Sequence, residues 1–468
     1  MKPASAHAQH GLALGRSHRR HMPRADQAVC PTKQRRVDPL KLIEASMKGR
    51  LRRLIPLKYE RMAASPFGFF RGAVPLMAYD LSLGHTTGIH TQLCGDAHVR
   101  NLGAYAAPDG RLVFDINDFD ETIRGPFEWD VKRMATSLIL AGRESHGKES
   151  LCTEAARAFL ARYRTTVQTF TRMALLDVAR YQVHRLRSVA PIASILELAE
   201  HSTPLHNLES LTVPAPKAQP STTQLGARAA GARVFRSQRP ELERLTGEAA
   251  REVLDSLASY AESLLPERQH LLAQYKPLDV AFKVVGTGSV GLRDFCVYLQ
   301  GNGPADPLFL QVKEEPPSAY ARYLGEPASP HHQGRRVAEG QRAMQLQSDP
   351  FLGWTTIRGR DYLVRQLNDH KASVDLGTLK AKALVEYATL CGELLARGHA
   401  RAGESAALAG YMGTSDRFDD AIARFAVAYA DQTERDWKTL LHTLKDRAPA
   451  SAPRNPTRPK RGVRSQRR

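Results

Sequence analysis

The sequence predicts an α+β protein with a mostly helical part first and an antiparallel sheet later in the chain. Apolar residues recur at helical spacing in residues 38–63, 127–200 and 241–265, which indicates amphipathic helices. Between residues 279 and 367 the pattern changes to short apolar runs separated by turn residues, which predicts five antiparallel strands. The 468 residues, with 42% hydrophobic content, suffice for two or three domains or two lobes around a packed core.

The net charge of +19 is concentrated at the two ends of the chain. Residues 1–36 carry eight Lys or Arg and one Asp, and residues 447–468 carry eight Lys or Arg and no acid. Both ends are rich in Pro, Ser and Arg, so residues 1–37 and 446–468 are predicted to be disordered basic tails. Such tails could contact nucleic acid or anionic surfaces nonspecifically, or serve only to solubilise the protein.

Several protein classes do not fit the sequence. No apolar run reaches the roughly 18 residues that a membrane span needs, and the N-terminus lacks the apolar segment of a secretory signal. The five cysteines are scattered and odd in number, which predicts reduced thiols in a cytoplasmic protein. Neither a zinc-knuckle spacing nor an aromatic RNA-binding motif is present.

One predicted hairpin carries the main candidate for a catalytic site. Asp96 and Asn101 precede a first apolar run, and Pro108-Asp109-Gly110 forms a turn to a second run, Leu112 to Ile116. Four acids lie at the end of this second run or directly after it: Asp115, Asp118, Asp120 and Glu121. Carboxylates together with an amide suit Mg²⁺ that is shared with substrate phosphates.

The hairpin resembles the catalytic loop and metal-binding Asp of the protein-kinase-like superfamily. The pattern Asp-x-x-x-x-Asn, a hairpin and Asp-Phe-Asp is closest to the aminoglycoside phosphotransferase and choline kinase branch, whose loop reads His-Gly-Asp-x-His-x-x-Asn. Gly95, Asp96, His98 and Asn101 match this loop, and Cys94 replaces its leading His. The resemblance implies that Asp96 orients an acceptor hydroxyl and accepts its proton.

The same resemblance implies a metal site at the end of the hairpin. Asn101 and one Asp of the acidic group would bind Mg²⁺, and Asp118 is favoured because Asp118-Phe119 falls where Asp-Phe-Gly would. Asp115 and Asp120 remain open as alternative ligands or as ligands that share the metal. Asp130, at the end of Gly125–Asp130, matches an Asp that braces the catalytic loop in that branch.

A glycine-rich segment predicts the nucleotide site. Gly286-Thr287-Gly288-Ser289-Val290-Gly291 lies between two predicted strands, whereas a Rossmann turn would lead from a strand into a helix. The third strand, Pro307 to Lys313, ends in a lysine. This arrangement resembles a kinase glycine-rich loop and its phosphate-binding Lys, which implies ATP as cofactor. An edge-strand lysine that discourages aggregation is the alternative for Lys313. Glu339, on the predicted helix 334–346, is the candidate acid to hold this lysine.

The order of these motifs predicts a circularly permuted two-lobe kinase-like fold. A catalytic lobe (38–265, with 201–240 as a linker or long loop) precedes a nucleotide lobe (279–370), and C-terminal helices (371–445) pack back on the catalytic lobe. The chain also resembles the bacterial family catalogued as domain of unknown function 2252, over most of residues 38–440. Three segments carry this resemblance: Ser65 to Gly72, Gly95 to His98 and Phe114 to Asp120.

The expected function is transfer of phosphate from ATP, with Mg²⁺, to a hydroxyl of a small molecule or a protein. No acceptor site is legible, and the helical block 127–265 is expected to build it. One alternative is AMP transfer on the same scaffold. The other is a noncatalytic nucleotide-binding protein that associates with nucleic acid through its basic tails.

Overall fold

The protein has the predicted α+β composition in the computed structural model, which describes residues 5–183, 190–215, 233–325, 332–367, 372–375, 377, 379–380 and 382–447. The α-helices there are α1 (Ala6–His18), α2 (Pro39–Ala45), α3 (Ile55–Ala63), α4 (Pro66–Gly72), α5 (Val74–Ser82), α6 (Glu128–Glu144), α7 (Glu149–Phe170), α8 (Leu175–Ala179), α9 (Ala190–His201), α10 (Pro204–Leu211), α11 (Gly247–Glu262), α12 (Pro266–Leu272), α13 (Gln333–Met344), α14 (Lys382–Ala402), α15 (Ser405–Met412) and α16 (Arg417–Arg447).

The strands are β1 (His90–Leu93), β2 (Leu102–Ala106), β3 (Leu112–Ile116), β4 (Ile123–Pro126), β5 (Thr212–Pro214), β6 (Arg233–Phe235), β7 (Leu242–Leu245), β8 (Lys276–Lys283), β9 (Asp294–Gln300), β10 (Pro307–Glu314), β11 (Gly353–Ile357), β12 (Arg360–Gln366) and β13 (Ala372–Ser373). Among the described helices, none combines the length and the apolar character that crossing a bilayer requires.

An antiparallel sheet of six strands, in the order β11-β12-β10-β9-β8-β7, forms the later part of the chain. The five predicted strands are present, and β7 adds a sixth by pairing with β8. Residues 241–245 were expected to begin a helix. Instead, Gly247 adopts a positive φ of 64°, and the helix begins only there.

Strand β10 is the buried centre of this sheet, between β12 and β9, and every one of its residues is buried. Successive side chains of a strand point to opposite faces. Leu308, Leu310 and Val312 therefore pack in one core cluster with α11, while Gln311 and Lys313 point to the other face. The edge-strand alternative for Lys313 is wrong, because the lysine lies on a central strand.

The predicted hairpin is confirmed as β2 and β3, which pair antiparallel from Leu102 opposite Ile116 to Ala106 opposite Leu112. Strand β13 extends it to three strands. Strands β1 and β4 form a separate two-stranded sheet. The loop after β1 and the loop after β3 lie side by side. The amide of Asn117 donates to the carbonyl oxygen of Asn101 at 3.0 Å and ties these two loops together.

The helices of the first and last parts of the chain share one large core. Helix α6 is buried on all sides over most of its length, as expected for a helix at the centre of a bundle. Helices α4, α7 and α16 pack against it, and α14 packs on α7. The ring of Phe127, just before α6, lies within 6.5 Å of those of Tyr163, Tyr411 and Phe418.

The prediction of a disordered tail over residues 1–37 is wrong for residues 5–37, which begin with helix α1. Residues 1–4 lie outside the described residues. Helix α1 packs on α15 so closely that a β-carbon on Gly15 would lie 2.0 Å from the carbonyl oxygen of Ala407. Arg19 and Arg24 donate to carbonyl oxygens at the C-terminal end of α15, where cations are favourable. Arg19 and Arg24 therefore cap a helix, a role that a charge count does not distinguish from that of a solvated tail.

The other predicted irregular segments are described only in part. Within the predicted linker 201–240, α10 is a helix and β5 pairs with β6. Residues 216–232 of the linker and residues 448–468 of the basic C-terminal tail lie outside the described residues.

We expect Arg35→Gln to destabilise the protein strongly. The guanidinium of Arg35 donates to Asp80 at 2.6–2.7 Å and to Asp436 at 2.9–3.0 Å, which joins the N-terminal segment to α5 and α16. The three side chains are at most 9% exposed. Loss of one partner of a buried ionic group costs about 3–5 kcal/mol, measurable as the free energy of unfolding in urea. The control Arg111→Gln removes an exposed pair with Asp109 and should cost less than about 1 kcal/mol. Equal effects of the two changes would contradict this role of Arg35.

Candidate active site

Asp96 lies in a loop between β1 and β2 that Asp130 holds in place. The carboxylate of Asp130, in the first turn of α6, accepts hydrogen bonds from the amides of Cys94 at 2.7 Å and Gly95 at 3.0 Å. Gly95 has a φ of 81°, and a β-carbon there would lie 2.1 Å from the carbonyl oxygen of Glu121. Only glycine fits this position. The bracing role that the resemblance implied for Asp130 is present in the structure.

The carboxylate of Asp96 is oriented by Arg133, which the sequence analysis did not identify. Nε of Arg133 lies 2.7 Å from Oδ1 of Asp96 and Nη2 lies 2.5 Å from it. Arg133 is fully buried, and its guanidinium covers the ring of Phe70 at 4.2 Å. Burial raises the pKa of Asp96 although Arg133 acts to lower it, so this carboxylate is a stronger base than a free Asp. Arg133 follows Asp130 by three residues on one helix, so the two side chains lie on the same face. This spacing was the signal that could have identified Arg133.

Two predicted metal ligands, Asp120 after β3 and Asn101 just before β2, lie at or beside the loop that carries Asp96. Asp120 Oδ2 forms an ion pair with Nζ of Lys313 and accepts from the hydroxyl of Ser289 at 3.2 Å. Its Oδ1 is buried and has no hydrogen-bond partner among the described residues. Asn101 donates from Nδ2 to the carbonyl oxygen of Asp96 at 2.8 Å, which leaves its Oδ1 as an acceptor.

The pKa values of Asp118 and Asp120 are shifted in opposite directions. Burial and repulsion by Asp120 raise the pKa of Asp118. Burial also acts to raise the pKa of Asp120, but Lys313 and Asp118 outweigh it and lower this pKa. Asp120 is therefore the more acidic member of the pair, and Lys313 compensates its charge.

These residues fit the donor set of Mg²⁺. The unpartnered Oδ1 of Asp120, the carboxylate of Asp118 and Oδ1 of Asn101 are hard oxygen donors. Within the described part of the chain, no three His, Cys, Asp or Glu side chains already lie in metal-binding geometry. A metal here would therefore take its remaining ligands from water and a substrate phosphate, as Mg²⁺ commonly does.

Asp115 does not belong to this site. It is 3% exposed, its Oδ1 forms an ion pair with Nη2 of Arg397 on α14, and it does not line the cavity. The carboxylate lies within β3, so strand alternation and burial direct it to the helix side. Its prediction as a metal ligand is not supported by its position.

The glycine-rich segment forms the connection between β8 and β9 and is held by cations of the N-terminal region. Lys58 donates from Nζ to the carbonyl oxygens of Thr287 at 3.2 Å and Gly288 at 2.7 Å. Arg61 donates to Val285 O at 2.5 Å and Arg50 to Val290 O at 2.7 Å. Lys58 is 1% exposed. Its role was not predicted from the sequence. The loop carbonyls are thus bound to side chains of the N-terminal region, two of which, Arg50 and Lys58, also line the cavity.

Gly286, Gly288 and Ser289 line the cavity, whereas Gly291 does not. Gly291 has a φ of 91°, and a β-carbon there would lie 3.0 Å from the side chain of Arg50. This glycine makes the turn into β9, and its requirement is structural.

Lys313 is held by Asp120, not by Glu339 as predicted. Glu339 is 47% exposed in its side chain and pairs with Arg335 of its own helix at 2.7 Å. Helix α13 instead directs Arg336 inwards, where it donates to the carbonyl oxygens of Thr122 at 2.6 Å and Asp120 at 2.8 Å. Burial would lower the pKa of Lys313, but Asp120 and Asp118 outweigh it and raise this pKa.

Glu315 is a further acid of the cavity. It is 3% exposed and lines the cavity, and neither of its carboxylate oxygens has a hydrogen-bond partner among the described residues. Burial and repulsion by Asp120 raise its pKa well above the usual range.

The predicted residues meet at one cavity of about 350 Å³. Eight of the eleven predicted site residues line it: Asp96, Asn101, Asp118, Asp120, Gly286, Gly288, Ser289 and Lys313. Asp115, Gly291 and Glu339 do not. The fold and the cavity define an α+β protein whose polar site lies between the helical part and the six-stranded sheet.

The chain belongs to the family DUF2252, described as an uncharacterized protein conserved in bacteria, whose model matches residues 50–443. This confirms the predicted family. The match includes both the hairpin and the glycine-rich loop, so one family model covers both halves of the site. Comparisons with curated proteins and with solved structures gave no significant match.

Lys58→Met should loosen the glycine-rich loop. The change leaves the carbonyl oxygens of Thr287 and Gly288 without their buried donor, a loss of about 1–3 kcal/mol. We expect faster amide hydrogen exchange in residues 285–291 and unchanged exchange in β9, measured by mass spectrometry. Lys41→Met removes an exposed lysine and is the matched control. Exchange that stays the same in residues 285–291 would contradict the role of Lys58.

Proposed function

We propose that the protein is an ATP- and Mg²⁺-dependent phosphotransferase with a kinase-like site, acting on a hydroxyl group of a small molecule or a protein. The observation that carries the proposal is the ion pair between Lys313 and Asp120. These residues are 193 positions apart in the chain, and each belongs to a motif predicted independently. A chance meeting of two unrelated motifs would not place them on one cavity.

Each part of the cavity has a role in this reaction. Gly286 and Gly288 allow the triphosphate to approach the backbone, and Lys313 supplies a positive charge to the phosphates. Asp118, Asp120 and Asn101 would hold Mg²⁺, which would offset the charge of the phosphates when bound. Asp96 would accept the proton of the acceptor hydroxyl, and Arg133 keeps it oriented.

The contacts of α14 support a kinase-like fold in permuted order. In the unpermuted order a long helix precedes the catalytic loop, whereas α14 follows that loop by some 280 residues. The hydroxyl of Thr91 on β1 donates to the carbonyl oxygen of His399 on α14 at 3.1 Å. Nε2 of His399 lies 3.3 Å from Asp130, the residue that braces the loop. The end of α14 therefore adjoins the strand that leads into the catalytic loop, as the permutation requires.

A cytoplasmic location accords with this proposal. All five cysteines are free thiols, and four of them are buried. Reduced thiols are typical of the compartment in which ATP is available.

We expect calorimetry to show ATP binding that depends on Mg²⁺ and is weakened by both Lys313→Ala and Asp118→Asn. Loss of a charge-assisted contact corresponds to about 1.5–3 kcal/mol, or roughly 10- to 100-fold in affinity. Asp109→Asn, at the exposed turn of the same hairpin, is the matched control and should leave binding unchanged. Binding that is absent, or indifferent to both site changes, would refute the proposed function.

ATP labelled in the α or the γ position distinguishes the possible reactions. Transfer of the γ label to an acceptor supports phosphotransfer, and transfer of the α label supports AMP transfer instead. Asp96→Asn should reduce transfer by about 10²- to 10⁴-fold, because the base is lost, while ATP affinity changes little. Binding of ATP without transfer of either label to any acceptor tested would favour a noncatalytic nucleotide-binding protein.

A further inference from the structure

Arg71, at the end of α4, is a cation of the cavity that has no acidic partner among the described residues. Its Nη2 would lie 3.7 Å from a β-carbon on Gly286, and its carbonyl oxygen 3.8 Å from one on Gly288. Its Nε lies 3.4 Å from Nε2 of His98, in the loop that carries Asp96. The half-buried guanidinium therefore lies between the glycine-rich loop and the catalytic loop.

The contact with His98 does not satisfy Arg71. Nδ1 of His98 accepts the amide hydrogen of Arg100 at 3.2 Å. Only Nε of Arg71 reaches this imidazole, and Nη1 and Nη2 have no hydrogen-bond acceptor among the described residues. A guanidinium carries five N–H donors, so most of the donors of Arg71 remain available to a ligand in the cavity.

Most other cations of the cavity are already engaged. Lys313 pairs with Asp120, Lys58 and Arg50 donate to loop carbonyls, and Arg365 donates to Gln311 and Asn117. Lys283 and Arg100 also lack an ion pair within the described part of the chain, but Lys283 belongs to β8 of the sheet and Arg100 is exposed at the rim. Of these cations, Arg71 lies between the glycine-rich loop and the loop that carries Asp96.

We propose that Arg71 is a catalytic residue that binds the terminal phosphate of ATP and stabilises its charge during transfer. This inference rests on the proposed function. In the transfer, the acceptor oxygen forms a bond to the terminal phosphorus, and the bond from that phosphorus to the bridging oxygen of ADP breaks. ADP leaves with the electron pair, and the hydroxyl proton goes to Asp96. Arg71 donates hydrogen bonds to the nonbridging oxygens of the transferring group, in the bidentate manner that a guanidinium allows.

The electrostatics of Arg71 accord with an anionic ligand. Burial and Arg100 lower its pKa, while Asp96 and Asp118 act in the opposite direction without touching it. A buried cation without a contacting anion is unfavourable, and a phosphate between the two loops would remove this cost. In other phosphoryl-transfer enzymes an arginine at the transferring group contributes about 10³- to 10⁵-fold to the rate.

The ratio of ATP to ADP affinity tests this assignment, because only ATP carries the terminal phosphate. We expect the wild type, with Mg²⁺ present, to bind ATP at least about tenfold more tightly than ADP. Arg71→Met should bring the two affinities within about twofold of each other and leave ADP affinity unchanged. Unchanged ADP affinity also shows that the variant is folded. Arg71→Lys keeps the charge but loses the fork, so its ratio should lie between those of the wild type and Arg71→Met.

Arg100→Met is the matched control, since it removes a nearby positive charge at the rim. It should lower both affinities by the same factor and preserve their ratio. A ratio that Arg71→Met leaves unchanged, or a wild type that binds ATP and ADP equally, overturns the role of Arg71 and leaves the proposed function intact. A wild type that binds neither nucleotide refutes the proposed function itself.

Discussion

The ion pair between Lys313 and Asp120 is the contact on which the arrangement of the site depends. Lys313 lies on the central strand of the sheet, and Asp120 follows the hairpin of the helical part. Arg336 reinforces the junction by donating to the carbonyl oxygens of Asp120 and Thr122. The hydroxyl of Ser289 also donates to Asp120, so these contacts link the glycine-rich loop to the loop after β3. The two halves share apolar contacts as well, since Leu363 of β12 belongs to the core cluster of the helical part.

Buried arginines hold the loop of Asp96 and the helical core in the same way. Arg133 orients Asp96, Arg397 pairs with Asp115, and Arg35 joins two acids of the helical core. Buried ion pairs contribute little net stability when compared with apolar residues of similar size. Their value here is geometric, since a guanidinium with fixed donors accepts only one arrangement of its partners. This explains why so many charged side chains occur inside the helical part.

The sequence was sufficient for local patterns and insufficient for the orientation of elements relative to each other. The hairpin, the glycine-rich loop and Lys313 were predictable, because turn residues and strand alternation act over a few positions. Glu339 was wrong because the packing of α13 on the sheet, not its own sequence, decides that Arg336 points inwards. Asp115, an alternative metal ligand, is not supported by its position, because the sequence does not fix which face of β3 its side chain occupies. The N-terminal helix was missed because its close packing through Gly15 on α15 has no signature in composition.

The ion pair between Lys313 and Asp120 favours the binding of a metal and a nucleotide together over the binding of either alone. A nucleotide that takes Lys313 as its partner leaves the buried carboxylate of Asp120 uncompensated beside Asp118. A metal that takes Asp120 leaves Lys313 buried among the other cations of the cavity. Each ligand alone thus exposes a charge that the ion pair had neutralised, and leaving a buried charge unpaired is costly. When both bind, every charge has a partner again, so each ligand should strengthen the binding of the other by the same factor. Under the proposed function, the ion pair between Lys313 and Asp120 would therefore make nucleotide binding depend on Mg²⁺.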